Sequence, residues 1–210
     1  MLKYRTRGNA SPQGKQRVFL CCHPDDLEEQ LEIIANELLD LYPSAALWYR
    51  DPSESRDAAV SEDDLAQMQL VVVPVTARFL RENNVARSTE LPLAQELNIP
   101  VLPILDENAL AGEFNRICGD LQCLDRHAQE NDPTALPYRD RLKRFLDSVL
   151  VGDELAARVR AAFNAYVFLS YRKRDRAEAQ QIMRLIHENP LCRDIAIWYD
   201  EVLVPGEGFN

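Results

Sequence analysis

His23-Pro24-Asp25-Asp26 places an imidazole and two carboxylates within four residues, directly after the apolar run Val18-Phe19-Leu20-Cys21-Cys22. Side chains of these types can hold zinc, which takes three protein ligands when it does chemistry. The other two histidines, His127 and His187, lie far along the chain and far from each other. A plainer reading also fits. Pro24 suits the first position of a helix, and Asp25 and Asp26 complement the positive end of its dipole. The cysteines are Cys21, Cys22, Cys118, Cys123 and Cys192. An odd count with two adjacent members is no disulfide framework. Cys118 and Cys123 read as buried apolar residues rather than ligands, and Cys21 and Cys22 as core residues facing opposite sides of a sheet. With seven glycines in all and no Gly-rich run, a phosphate-cradling nucleotide hydrolase is disfavoured.

An internal repeat organises the elements that must position these residues. Val18-Phe19-Leu20-Cys21-Cys22 recurs as Val167-Phe168-Leu169-Ser170-Tyr171, and Leu47-Trp48-Tyr49 as Ile197-Trp198-Tyr199. The second match contains both tryptophans of the chain. Between the anchors, Leu27, Leu31, Ile34 and Leu38 in one copy and Ala179, Ile182, Met183 and Ile186 in the other follow helical spacing. Two matches at nearly one separation indicate duplication of a domain of roughly 150 residues.

In the first copy, strands are predicted over residues 17–22, 45–49, 70–75 and 101–105, with a short fifth over 120–124. Helices are predicted over 25–41, 61–68, 88–97 and 138–150. Ser61 is the expected N-cap of the second helix, and Pro92 is tolerable only in the first turn of the third. Apolar runs without strict alternation, separated by helices, predict strands covered on both faces. That is the pattern of an α/β, doubly wound parallel sheet. Gly152-Asp153 breaks the chain before a connecting helix over 154–163. The resulting division is a tail at 1–16, a first unit at 17–152, a connection at 153–165 and a second unit at 166–210. That last unit offers strands at 166–170 and 195–199 around a helix at 176–188.

Composition narrows the classes. Hydrophobic residues make up 46% and charged residues 28% of the chain, so a packed core is expected. A net charge of −10 repels phosphate backbones and argues against nucleic acid as a partner. No purely apolar run exceeds five residues, and Leu70 to Val73 is cut short by Pro74, so no membrane partner is expected. Lys3, Arg5, Arg7, Lys15 and Arg17 precede no apolar h-region, and a cytoplasmic location is the expectation.

Phe168-Leu169-Ser170-Tyr171-Arg172, followed by Trp198-Tyr199-Asp200-Glu201 and Pro205-Gly206-Glu207, resembles the first strand and BB-loop region of Toll/interleukin-1 receptor (TIR) domains. The first copy is similar in layout, with Phe19-Leu20-Cys21-Cys22-His23 in place of the FLSYR pattern and Asp51-Pro52-Ser53-Glu54-Ser55 lacking the Pro-Gly step. The resemblance implies a flavodoxin-like five-stranded parallel sheet flanked by helices, followed by a partial second copy. It further implies the N-terminal fragment of a bacterial protein with tandem TIR units. Two activities follow from it. One is a signalling and protein-interaction module, in immunity or defence, whose partners are other TIR domains or further copies of itself. The other is cleavage of the nicotinamide–ribose bond of NAD⁺, which would be a substrate, with no cofactor required.

In the TIR enzymes a glutamate on the helix after the third strand is essential, and Glu90 matches it in order. A carboxylate there would stabilise the positive charge that develops on the ribose. Cys22, His23, Asp51, Ser53, Thr76 and Phe79 are the implied pocket residues of the first unit, and Ser170 and Arg172 those of the second. All should gather beyond the carboxyl ends of the strands. Ala86 stands where an aromatic commonly precedes the glutamate, which predicts weak or absent hydrolysis. The plain alternative for Glu90 is a carboxylate favoured by the N-terminal end of its helix. His23-Pro24-Asp25-Asp26 also resembles the HPDD motif of zinc-dependent deacetylases. That motif needs a further histidine pair, and His127 and His187 do not supply one. No bound metal is expected.

Overall fold

The first strand of the fold is one the sequence does not announce. Leu2–Thr6 (β1) lies antiparallel along Ala45–Arg50 (β3), with Leu2 opposite Arg50 and Thr6 opposite Ala46. The tail therefore becomes a sixth strand, and the predicted five-stranded parallel sheet is a six-stranded mixed one. The computed structural model describes residues 2–53, 55, 58–118, 123–131, 135–150, 165–169, 176–189 and 195–199. The chain divides into two units, residues 1–133 with 137–150 and residues 134–136 with 151–210.

In the first unit the remaining strands are Gln16–Leu20 (β2), Leu70–Val75 (β4), Val101–Leu105 (β5) and Leu124–Asp125 (β6). The sheet order is β1-β3-β2-β4-β5-β6, and every pairing other than β1 with β3 is parallel. The winding thus reverses between β2 and β4. Of the predicted fifth strand, 120–122 lie outside the described residues, and β6 takes in Leu124 and extends to Asp125.

Both faces are covered. Leu27–Leu41 (α1) and Tyr138–Val149 (α7) pack on one face, where Ile34, Leu38, Leu142 and Leu146 meet Val18, Leu20, Leu47 and Val72. Four short helices cover the other: Glu62–Leu65 (α2), Ala77–Arg81 (α3), Leu91–Glu96 (α4) and Ala111–Cys118 (α5). Leu65, Phe79, Leu80, Leu91 and Phe114 meet Phe19, Val71, Val73 and Leu105 there. Each such side chain contributes about 1.5–3 kcal/mol on burial. Ala128–Asn131 (α6) is a single turn after β6. The α2 helix is shorter than the predicted 61–68, and Ser61 caps it as expected, accepting from the Asp64 amide at 3.2 Å.

Two prolines sit inside central strands, where a missing N–H normally breaks a ladder. Pro74 lies past the end of the β2–β4 ladder, which runs from Val18 opposite Leu70 to Leu20 opposite Val72 and closes with the Cys21 amide on the Val72 carbonyl. Pro103 precedes the β5–β6 ladder, which starts at Ile104 opposite Leu124. Among the described residues neither ring faces a ladder partner on that side, so no ladder bond among these residues is lost.

In the second unit, Ala165–Leu169 (β7) and Ile195–Tyr199 (β8) form a parallel pair, with Arg176–Glu188 (α8) between them in sequence. The predicted strand over 166–170 starts one residue earlier, and the helix and final strand have their predicted bounds. Ile182 and Leu185 on α8 are exposed. The predicted helix at 154–163 lies outside the described residues. Among those described, no helix is long and apolar enough to cross a membrane.

Candidate functional site

Three strands end together at the carboxyl edge of the first unit. β2 runs out into Cys21-Cys22-His23, β3 into Arg50-Asp51, and β4 into Thr76. In open α/β sheets this edge, at the point where the winding reverses, is where ligands bind. The cysteines continue the alternation of β2, so Cys22 faces α1 and Cys21 faces the opposite layer.

Glu90 reaches this edge from the other side of the sheet. The predicted helix over 88–97 is instead a π turn, Ala86–Glu90, continued by the short α4 with Pro92 in its first turn. The wider turn carries Glu90 inward, to 0% exposure. Its Oε1 lies 3.3 Å from Arg50 Nε and accepts from the Val60 amide at 3.3 Å. Its Oε2 is buried without a hydrogen-bond partner among the described residues. Burial pushes the Glu90 carboxyl above its ordinary value, and the Arg50 guanidinium opposes that rise. Arg50 is itself 9% exposed and donates through Nη2 to the Cys22 carbonyl at 2.6 Å. The Cys21 thiol donates to the Ala86 carbonyl at 3.5 Å. Burial raises Cys21 well above the usual thiol range, with the Glu90 charge adding to the rise. Burial likewise pushes Cys22 up to about 12.

The other predicted residues divide into two groups. His23, Thr76 and their neighbours form a connected set between the starts of α1 and α3. His23 Nδ1 accepts from the Asp25 amide at 3.1 Å, and Nε2 stands 3.5 Å from Glu82 Oε2. Thr76 caps α3 by accepting from the Phe79 amide at 3.1 Å, and its hydroxyl donates to Asp26 Oδ2 at 2.6 Å. Asp26 Oδ1 takes Arg78 Nη1 at 2.9 Å. Phe79 is fully buried in the core and offers no surface.

Asp51 and Ser53 belong to the surface loop after β3. The Ser53 hydroxyl and amide, with Lys3 at 2.9 Å, hold Asp51 down to about 2. Between this loop and the start of α1 lies a cleft of about 510 Å³, lined by Lys3, Asp25, Glu28, Tyr49, Arg50 and Asp51 among others. Arg50 both contributes to the lining of this cleft and pairs with Glu90. Glu90 is not among the lining residues. Ser170 and Arg172 lie outside the described residues.

Among the described residues no three His, Cys, Asp or Glu side chains gather as a metal site. The donor atoms of the HPDD segment have other work, since His23 Nδ1 and both oxygens of Asp26 are engaged as above.

Sequence reasoning missed Arg50, and it read Asp26 only as a metal ligand or a partner of the helix dipole, not as the acceptor of Thr76 and Arg78. Arg50 had one signal, a cation continuing the apolar run Ala45–Tyr49 into the core. Asp26 had a clearer one. It opens the helical stripe Asp26, Gln30, Ile34, Leu38, every member of which is buried, while Asp25 beside it is exposed. Compared with family models, curated proteins and solved structures, the chain matches none.

Proposed function

We propose that this chain is a TIR-like signalling and protein-interaction module in which the catalytic glutamate position has become structural. The observation that carries the reading is the enclosure of Glu90. A carboxylate that stabilises a ribose cation must touch the sugar. Glu90 has no exposed surface, its carboxylate is paired with Arg50, and it is absent from the lining of the cleft to which Arg50 contributes.

Two features of the backbone support the family part of the proposal. The five parallel strands follow the order β3-β2-β4-β5-β6, which is the flavodoxin-like winding that the resemblance implies. The repeat also carries through to strand register. Val18 stands opposite Leu47 and Phe19 opposite Trp48, and in the second unit Val167 stands opposite Ile197 and Phe168 opposite Trp198. Residues matched in sequence thus hold matched places in two separate parallel pairs. We infer from this that the second unit begins a further copy of the same domain, and that the module acts in signalling by associating with other such domains.

The test is nicotinamide release. The 210-residue chain incubated with NAD⁺ should leave the dinucleotide intact at the rate of buffer alone, and Glu90→Gln should behave identically. Steady release of nicotinamide that disappears in Glu90→Gln would replace this proposal with the glycohydrolase.

A further inference from the structure

We propose that β1 is exchanged between two copies of the chain, so that Leu2–Thr6 of one copy completes the sheet of the other. The proposal concerns a surface apart from Glu90 and stands or falls separately from the functional reading above.

The surface that β1 covers is complementary to it in pattern and in charge. Residues 2–7 carry Lys3, Arg5 and Arg7 and no acid, within a chain of net charge −10. Each cation meets a carboxylate of the first unit: Lys3 Nζ stands 2.9 Å from Asp51, Arg5 Nη1 2.6 Å from Glu32, and Arg7 Nη2 3.8 Å from Asp40. The Tyr4 ring lies against Trp48, with centroids 5.2 Å apart. Together with the register from Leu2 opposite Arg50 to Thr6 opposite Ala46, these contacts identify the occupant of the β3 edge as this same sequence. A second copy carries an identical strand and meets every requirement.

The attachment of β1 is shallow. Only Thr6 of the strand is buried, and ion pairs at the surface hold an element only weakly. Leaving the β3 edge bare would expose a row of unpaired backbone groups, which sheets do not tolerate well. The strand is therefore easy to move and its place is costly to leave empty. Exchange satisfies both conditions.

The connection to β2 is suited to opening. None of residues 7–15 is buried. Gly8, Asn9 and Gly14 hold φ values of 66°, 55° and 73°, and a side chain at Gly8 or Gly14 would touch nothing within 4 Å. Asn9 carries a side chain in the left-handed conformation, which a straightened connection no longer requires. Nine extended residues reach about 30 Å, enough to place β1 on a neighbouring copy. Closed and exchanged forms share the β1 contacts, so the balance turns on connection strain and protein concentration.

The full chain, with Cys118, Cys123 and Cys192 changed to Ser, is made in two versions, one carrying Lys3→Cys and one Tyr49→Cys. These positions are opposite each other in the β1–β3 register. The two are mixed at about 100 μM and oxidised with diamide, and a dithiothreitol-sensitive heterodimer is expected at about tenfold the yield obtained when Tyr49→Cys is replaced by the exposed Ser148→Cys. In otherwise native chain, deleting residues 11–13 shortens the connection and should convert the protein to a dimer in sedimentation. A heterodimer yield no higher than with Ser148→Cys, or a deletion variant that stays monomeric at that concentration, overturns the proposal.

Discussion

Arg50 Nε lies 3.3 Å from Glu90 Oε1, at a place in the sheet where the glutamate is fully shut away from solvent. The pair joins the end of β3 to the π turn before α4, two elements on different strands' loops, and it decides the character of the whole edge. A buried ion pair is a poor source of net stability, but breaking one leaves a charge with nowhere to go.

Replacing one partner should accordingly be worse than replacing both. Arg50→Met is expected to lower stability by about 3–5 kcal/mol at neutral pH. The double variant Arg50→Met/Glu90→Leu should recover most of that loss. Urea midpoints for the native chain, both single variants and the double variant give the coupling directly. A double variant as weak as Arg50→Met would show that the charges are not what holds this edge.

The same pair sets a pH signature. The folded-state pKa of Glu90 is raised above the ordinary 4.5 by burial. The stability it contributes is fully present below the unfolded value and is lost as pH rises through the folded one. Removing Arg50 takes away the force that opposes the rise, so the deficit of Arg50→Met should be greatest at pH 7 and narrow at pH 4. Parallel stability curves for the two proteins across that interval would contradict the assignment.

Cys21 and Cys22 should be silent to thiol reagents while the chain is folded. With Cys22 at about 12, only about one molecule in 10⁵ carries its thiolate at pH 7, and both residues are 0% exposed. Brief treatment with iodoacetamide followed by peptide mapping should leave both unmodified, with labelling appearing only in denaturant. Rapid modification of either under native conditions would mean that the carboxyl edge opens.

Thr76→Val removes two bonds with one atom, the cap of α3 and the partner of Asp26 Oδ2. A lost cap costs about 1 kcal/mol and an unpartnered buried acceptor about 1–3. The variant should therefore lose about 2–4 kcal/mol in chemical denaturation. Thr76→Ser, which keeps the hydroxyl, should stay within about 1 kcal/mol of the native chain.

Much of the scaffold was legible because β2, β4 and α1 obey their own periodicities. Val18, Leu20, Phe19 and the wholly buried β4 read as strands covered on both faces, and Leu27, Ile34 and Leu38 as one side of a helix. β1 was hidden because Lys3, Arg5 and Arg7 give it the look of a solvated tail. Its alternation of cation and neutral residue makes sense only once Glu32, Asp40 and Asp51 lie alongside. The short helices Ala77–Arg81 and Ala111–Cys118 were missed because few apolar positions in each leave little period to detect. At the site, Glu90 was found by its order along the chain. Its partner could not be, because Arg50 lies 40 positions away and only the sheet brings the two together.

The central place of β2 governs how the molecule comes into being. Its neighbours are β3, about 29 positions downstream, and β4, about 52, and both pairings are parallel and non-local, the slow kind. As the chain is synthesised, β2, α1 and β3 follow β1 and emerge before β4. Until Leu70–Val75 follows, one edge of β2 remains open with Phe19 and Cys21 bare on a face that α2 and α3 will later cover. The nascent chain thus passes through a window in which this central strand is only half covered, a stage at which aggregation competes with folding. The strand pair β7 and β8, with α8 between them, has the same three-part makeup as that early intermediate.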